Sequence, residues 1–158
     1  ISALICCFIG FIKNKQLLFE FLFYAGIIGG ILSLLTPQIT LYKELNFFYI
    51  MFYFKHASII AIPIFMRFYM NMKLSKLSWL KVFGLINLLL AIVLPINSAI
   101  DSNYLYVSRP PMVNNPLIIE DFNKFFGIPT YVYYWEIIMI ILLILIYYLF
   151  RQKKTATF

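Results

Sequence analysis

Residues 46–70 read NFFYIMFYFKHASIIAIPIFMRFYM, an almost unbroken apolar and aromatic run with Lys55 and His56 near its middle. A run of this length rises about 33–38 Å as α-helix, enough to cross the roughly 30 Å hydrocarbon core of a bilayer. It shows no period-two alternation, so a barrel strand does not describe it. The rest of the chain agrees. It is 63% hydrophobic, 20% aromatic and 12% charged over 158 residues, whereas soluble domains are about 45–50% apolar and about 25% charged. A chain this short cannot bury that much apolar surface in its own core, so lipid is its solvent.

Similar apolar segments lie at about 17–36, 78–99 and 131–150, the first ended by Pro37. Residues 1–12, ISALICCFIGFI, are apolar from the first position. They rise only about 18 Å as helix, so they are expected to be the second half of a truncated membrane helix. The expected architecture is an all-α, polytopic transmembrane helical bundle, N-terminally truncated. It forms a single transmembrane domain, with an outer loop at 100–130 and a tail at 151–158. Lys13 and Lys15, then Arg67, Lys73, Lys76 and Lys81, then Arg151, Lys153 and Lys154 all fall on one side if every helix crosses. The positive-inside rule makes that side, and the tail, cytoplasmic in the cell membrane. Glu44, Asp101, Glu120 and Asp121 fall on the other. The net charge of +7 therefore sets topology and does not indicate nucleic acid.

Small residues mark a packing face. Gly26 and Gly30 form a GxxxG, and Ala25, Gly29 and Ser33 repeat on an adjoining face. Such spacing lets helix backbones approach closely, so Gly26 and Gly30 are expected to meet a partner helix. Pro63 and Pro95 interrupt spans and predict kinks. Tyr131, Tyr133, Tyr134 and Trp135 predict an interfacial aromatic belt.

Polar residues inside spans are costly and hence informative. With residue 47 at the outer edge, His56 lies about 14 Å deep. Cys6 lies about 9 Å above an inner edge near Ile12, so the two depths differ by one or two turns. His56 reads either as a packing hydrogen bond between helices or as an acid/base residue beside a thiol, where imidazole takes the thiol proton. Asn87 shares one helix face with Ala91, Leu94 and Ser98, which gives it a route to a neighbouring helix. One histidine and the adjacent Cys6 and Cys7 cannot make a closed zinc site or a disulfide framework, and no cofactor motif occurs.

The stretch LLFEFLFYAGIIGGILSLLTPQI, residues 17–39, resembles a signature of the YwaF-like integral membrane proteins, whose animal relative is transmembrane protein 164. That family has an F-E-F-x-Y-F-x-G-x-x-G run closing in T-P, matched by Phe19, Glu20, Phe21, Gly26, Gly29, Thr36 and Pro37. FYFKHASII places His56 on the family histidine. SNYLYVSRPP supplies Asn103, Tyr104, Tyr106 and Pro110 for an N-Y-x-y-L stretch followed by proline. GIPTYVYYWE is similar to G-P-W-P-W-Y through Gly127, Pro129 and Tyr131. SALIC fits an N-terminal P-L-H-L-C element with Cys6, without its proline and histidine, and a shift by one selects Cys7 instead. The resemblance implies a lipid acyltransferase in which Cys6 carries the acyl group and His56 is general base and acid. Asn103 and Tyr104 are expected to bind a lipid head group, and Asn87 to line the substrate path. Membrane lipids are the expected partners. The alternative is a non-enzymatic binding, transport or assembly protein with a polar intramembrane site.

Overall fold

A computed structural model describes residues 1–39, 46–113 and 123–152. The expectations for Glu44, for Glu120 and Asp121, and for Lys153 and Lys154 lie outside these residues. The described chain is an all-α, polytopic bundle. A short helix α1 (Ser2–Phe8) runs into a single 3-10 turn at Ile9–Phe11. Among the described residues four helices are long and apolar enough to cross a membrane: α2 (Gln16–Leu35), α3 (Phe47–Phe68), α4 (Ser78–Ala99) and α5 (Thr130–Phe150). The segment between α4 and α5 carries a 3-10 turn at Tyr104–Tyr106 and a two-residue hairpin, β1 (Lys124–Phe125) with β2 (Ile128–Pro129).

Local sequence explains the ends. Asn46 caps α3 by accepting a hydrogen bond from the Tyr49 amide at 3.0 Å, satisfying one orphan donor of the first turn. The α4 entry is different: Leu77 adopts φ 58°, and helix α4 starts without a side-chain cap. Pro63 and Pro95 both sit inside continuous helices, because in lipid neighbouring groups and local adjustments absorb the lost backbone bond.

Helix α2 is the hub. Half of its apolar window is buried inside the protein, against 11% for each of the other three spans. It departs from the regular helix expected of residues 17–36, since Leu22–Gly26 forms a π-helical turn between two α-helical stretches. Leu22, Phe23 and Tyr24 on that turn are all buried. The turn thereby feeds two cores. Phe19, Leu22 and Phe23 pack with Ile9 and Met66 toward the basic end of the bundle. Phe21, Tyr24 and Ile28 pack with Val82 of α4 and Leu143 of α5. A third cluster, Val107, Tyr131 and Val132, closes the opposite end. Tyr131 thus belongs to the interior and not to an outward aromatic belt.

The GxxxG face is used within the chain. A Cβ on Gly30 would lie 2.7 Å from Ile60 Cγ1 and 3.3 Å from the His56 carbonyl oxygen, and one on Gly26 would lie 3.3 Å from Ile59 Cγ2. These glycines let α2 and α3 touch backbone to side chain, which supplies the dispersion contacts that hold helices together when lipid removes the hydrophobic drive. A Cβ on Gly29 would meet nothing within 4 Å. Gly30→Ala is expected to destabilise the bundle by about 1–3 kcal/mol through overpacking, whereas Gly29→Ala is expected to be neutral or stabilising. Thermal unfolding of the two variants in the same detergent checks the contrast.

Candidate functional site

The neighbouring face of α2 opens a space. A cavity of about 710 Å³ lies among α2, α3, α4 and α5. Ala25, Gly29 and Ser33, the second small-residue repeat, all line it. Gly26 and Gly30 line it as well, so the missing bulk on both faces leaves the room. Apolar walls come from Phe52 and Ile59 of α3, Ile86 and Leu89 of α4, and Ile138, Met139 and Leu142 of α5. Lys55 and His56 enter from α3, and Ser33, Thr36 and Gln38 extend a polar strip toward the end where Leu105, Tyr106, Pro111 and Val113 also line it. The volume falls within the usual range for ligand pockets, about 300–1,000 Å³.

His56 is half-buried. Its Nδ1 lies 2.8 Å from the Phe52 carbonyl oxygen. A carbonyl only accepts, so Nδ1–H donates, and in the neutral ring Nε2 keeps its lone pair. The imidazole also packs against the Phe52 ring, with centroids 4.3 Å apart. One nitrogen is therefore fixed by the helix backbone, which orients the ring as a base would require.

The cysteines stand apart from this cavity. Its α1 lining is Ile1, Ser2 and Ala3. Cys6 is half-buried against the Ile9, Phe19, Leu22, Phe23 and Met66 cluster, and Cys7 is exposed. Among the described residues no hydrogen bond joins either thiol to His56.

Asn87 does reach a neighbouring helix. Its Nδ2 donates to Glu136 Oε2 at 2.9 Å and to the Phe83 carbonyl at 3.1 Å. Neither Asn87 nor Glu136 lines the cavity, although their neighbours Ile86 and Trp135 do. Asn103 organises the outer segment. Its Oδ1 accepts from the Ser108 and Arg109 amides, each at 3.1 Å, and its Nδ2 donates to the Arg109 carbonyl at 2.9 Å. One amide hydrogen remains for a head group, so the side chain is chiefly a loop clasp. The Tyr104 ring is exposed, and its backbone N–H and C=O are held by Asn97 at 2.9 and 3.0 Å.

Two intramembrane acids escape the sequence pattern as site residues. Glu136 is one. The other, Glu20, is 1% exposed and stands in the sequence only as a motif letter. Glu20 Oε1 accepts from Gln16 Nε2 at 2.7 Å and from the Ser75 amide at 2.8 Å, and Gln16 also donates to the Lys73 carbonyl at 2.8 Å. The carboxylate thereby pins the basic connection 69–77 to α2. An acid placed inside an apolar run is the available signal for both.

Chemically, the arrangement is an apolar chamber with a cation, an oriented imidazole and a polar strip, set in a multi-pass helical membrane protein. The sequence model of the TMEM164 family matches residues 2–149, and the chain belongs to that family. No curated protein and no solved structure matches it.

Glu20→Ala is expected to strand the Ser75 amide and cost about 1–3 kcal/mol, whereas Glu20→Gln, which keeps an acceptor oxygen, costs less. Thermal unfolding in detergent distinguishes them, with accelerated proteolysis in the 69–77 connection as a second readout for the alanine variant.

Proposed function

We propose that the protein binds a lipid acyl chain in its intramembrane cavity and transfers that acyl group, as the resemblance to the YwaF-like proteins implies. The observation that carries the reading is the cavity itself: about 710 Å³ of largely apolar space, with His56 on its wall. An extended acyl chain suits the apolar walls, and the ester it belongs to suits the polar strip.

In the transfer, Nε2 of His56 takes the Cys6 Sγ proton as the thiolate attacks the ester carbonyl of the donor lipid. The carbon–sulfur bond forms, the carbon–oxygen bond breaks, and the imidazolium returns its proton to the departing lyso-lipid alkoxide. An acceptor hydroxyl then gives its proton to His56 and attacks the thioester, and Cys6 regains a proton as it leaves. The first turn of α1 borders the cavity and Cys6 lies further along the same helix, so the thiol must approach the chamber for this chemistry. A second reading, lipid binding or transport without covalent chemistry, is favoured by one observation: neither cysteine lines the cavity.

Labelling of the membrane-embedded protein with an activated acyl-lipid probe separates the two. Hydroxylamine-sensitive labelling is expected in the wild type and in Cys7→Ala, and is expected to vanish in Cys6→Ala. His56→Gln is expected to slow it by about 10²–10⁴-fold, the usual worth of a positioned acid/base. Thiol-independent labelling, or none, rejects the covalent mechanism and leaves binding as the function.

A further inference from the structure

Acyl binding and transfer leave one residue of the chamber without a role. Lys55 adjoins His56 on α3 and lines the same space. It lies about 12 Å along the helix from Phe47, where an ammonium far from bulk water is costly unless something compensates it. No acid among the described residues lines the cavity. Among the described residues no ion pair forms, and the acids of the spans are engaged elsewhere: Glu20 with Gln16 and the Ser75 amide, Glu136 with Asn87. The Lys55 side chain is exposed on this predominantly apolar helix, and no protein oxygen among the described residues accepts its hydrogen bonds. A chamber that offers a cation, a polar strip and apolar walls is complementary to one kind of molecule.

Resting on the lipid-cavity reading above, we infer that the cavity selects an amphiphile with an anionic group, a carboxylate or a phosphate, and that Lys55 is its counter-ion. Lys55 is then a specificity-determining residue. The anion sits on the ammonium, the chain runs along Leu89 and Met139, and neutral lipids of the same chain length bind less well because they leave the cation unpaired. An ammonium that merely snorkels along the helix surface gives no such discrimination.

The full chain reconstituted in phosphatidylcholine nanodiscs tests this by displacement of a bound fluorescent acyl probe. Oleate and oleoyl lyso-phosphatidate are compared with methyl oleate and mono-oleoyl glycerol. The anionic pair is expected to displace the probe about tenfold more tightly or better, the worth of a charge-assisted hydrogen bond. An advantage confined to oleate assigns a carboxylate, and one confined to the lyso-phosphatidate assigns a phosphate. Lys55→Met is expected to erase the anionic advantage while neutral binding persists, and Lys55→Arg to keep it. Equal displacement by anionic and neutral amphiphiles in the wild type, or an advantage that survives Lys55→Met, overturns the inference. Ser33→Phe, which fills the chamber, reports on the cavity separately. If it weakens neutral and anionic binding alike, the cavity reading stands even where the Lys55 inference has failed. If it changes neither, the cavity reading itself falls.

Discussion

The contact between α2 and α3 at Gly30 is the constraint on which the rest of the bundle depends, because it brings one helix against the backbone of the next. A Cβ there would lie 2.7 Å from Ile60 Cγ1 and 3.3 Å from the His56 carbonyl oxygen. Lipid offers apolar side chains the same environment that another helix does, so close packing has to supply the attraction. Gly26 and Gly30 meet α3, and together with Ala25, Gly29 and Ser33 they also border the cavity. One helix thus makes both a seam and a chamber by placing small residues on two adjacent faces. The π-helical turn at Leu22–Gly26 lies at the start of this arrangement. Such turns insert a residue, rotate the helix beyond them, and recur near functional sites.

Polar groups hold the two ends of the bundle. At the basic end, Glu20 and Gln16 tie α2 to the connection that leaves α3, and Tyr24 shares a 2.7 Å hydrogen bond with Ser78 at the start of α4. At the other end, buried Asn97 accepts from Ser102 Oγ and the Tyr104 amide and donates to the Tyr104 carbonyl. These bonds satisfy backbone groups that would otherwise be orphaned where helices give way to irregular chain, the requirement lipid enforces most strictly. Between them, Asn87 and Glu136 link α4 to α5 within the apolar depth. A hydrogen bond to a carboxyl group there gains from the low dielectric that would punish either partner alone.

The bundle is legible in the sequence because its signal is length and hydropathy, and a bilayer leaves few ways to satisfy a long apolar segment. The small-residue faces of α2 are legible too, as spacing, although nothing in the spacing tells that both also border a space. Asn87 reads correctly as reaching a neighbouring helix, but its partner Glu136 is masked by the aromatic residues of YVYYWE. Asn103 illustrates a different limit. A polar residue past a helix end reads as free to meet a ligand, whereas its carboxamide closes a turn around Ser108 and Arg109. The separation of Cys6 from the His56 chamber is equally out of reach, since helical rise gives depth and leaves azimuth open. Helix α1 places its first turn on the cavity and its cysteine against the Phe19–Met66 core.

The outer boundary of the chamber brings these elements together. Leu105 and Tyr106 both line the cavity and both adopt left-handed backbone, with φ 58° and 56°. For residues with a Cβ that conformation costs about 1–3 kcal/mol each, and it persists only where the surroundings over-determine it. Here they do. The Tyr106 hydroxyl donates to Gln38 Oε1 at 2.8 Å, the Tyr131 hydroxyl donates to the Tyr106 carbonyl, and Asn97 and Asn103 brace the chain on either side. Asn103, Tyr104, Tyr106 and Tyr131 thus converge on one strained segment at the cavity wall. Together they form a fixed closure, held from α5 and from Gln38 just beyond α2, beside a space that His56 also lines. The strained segment and the backbone-bonded imidazole of His56 face the same chamber, which is where the chain has concentrated what packing alone does not require.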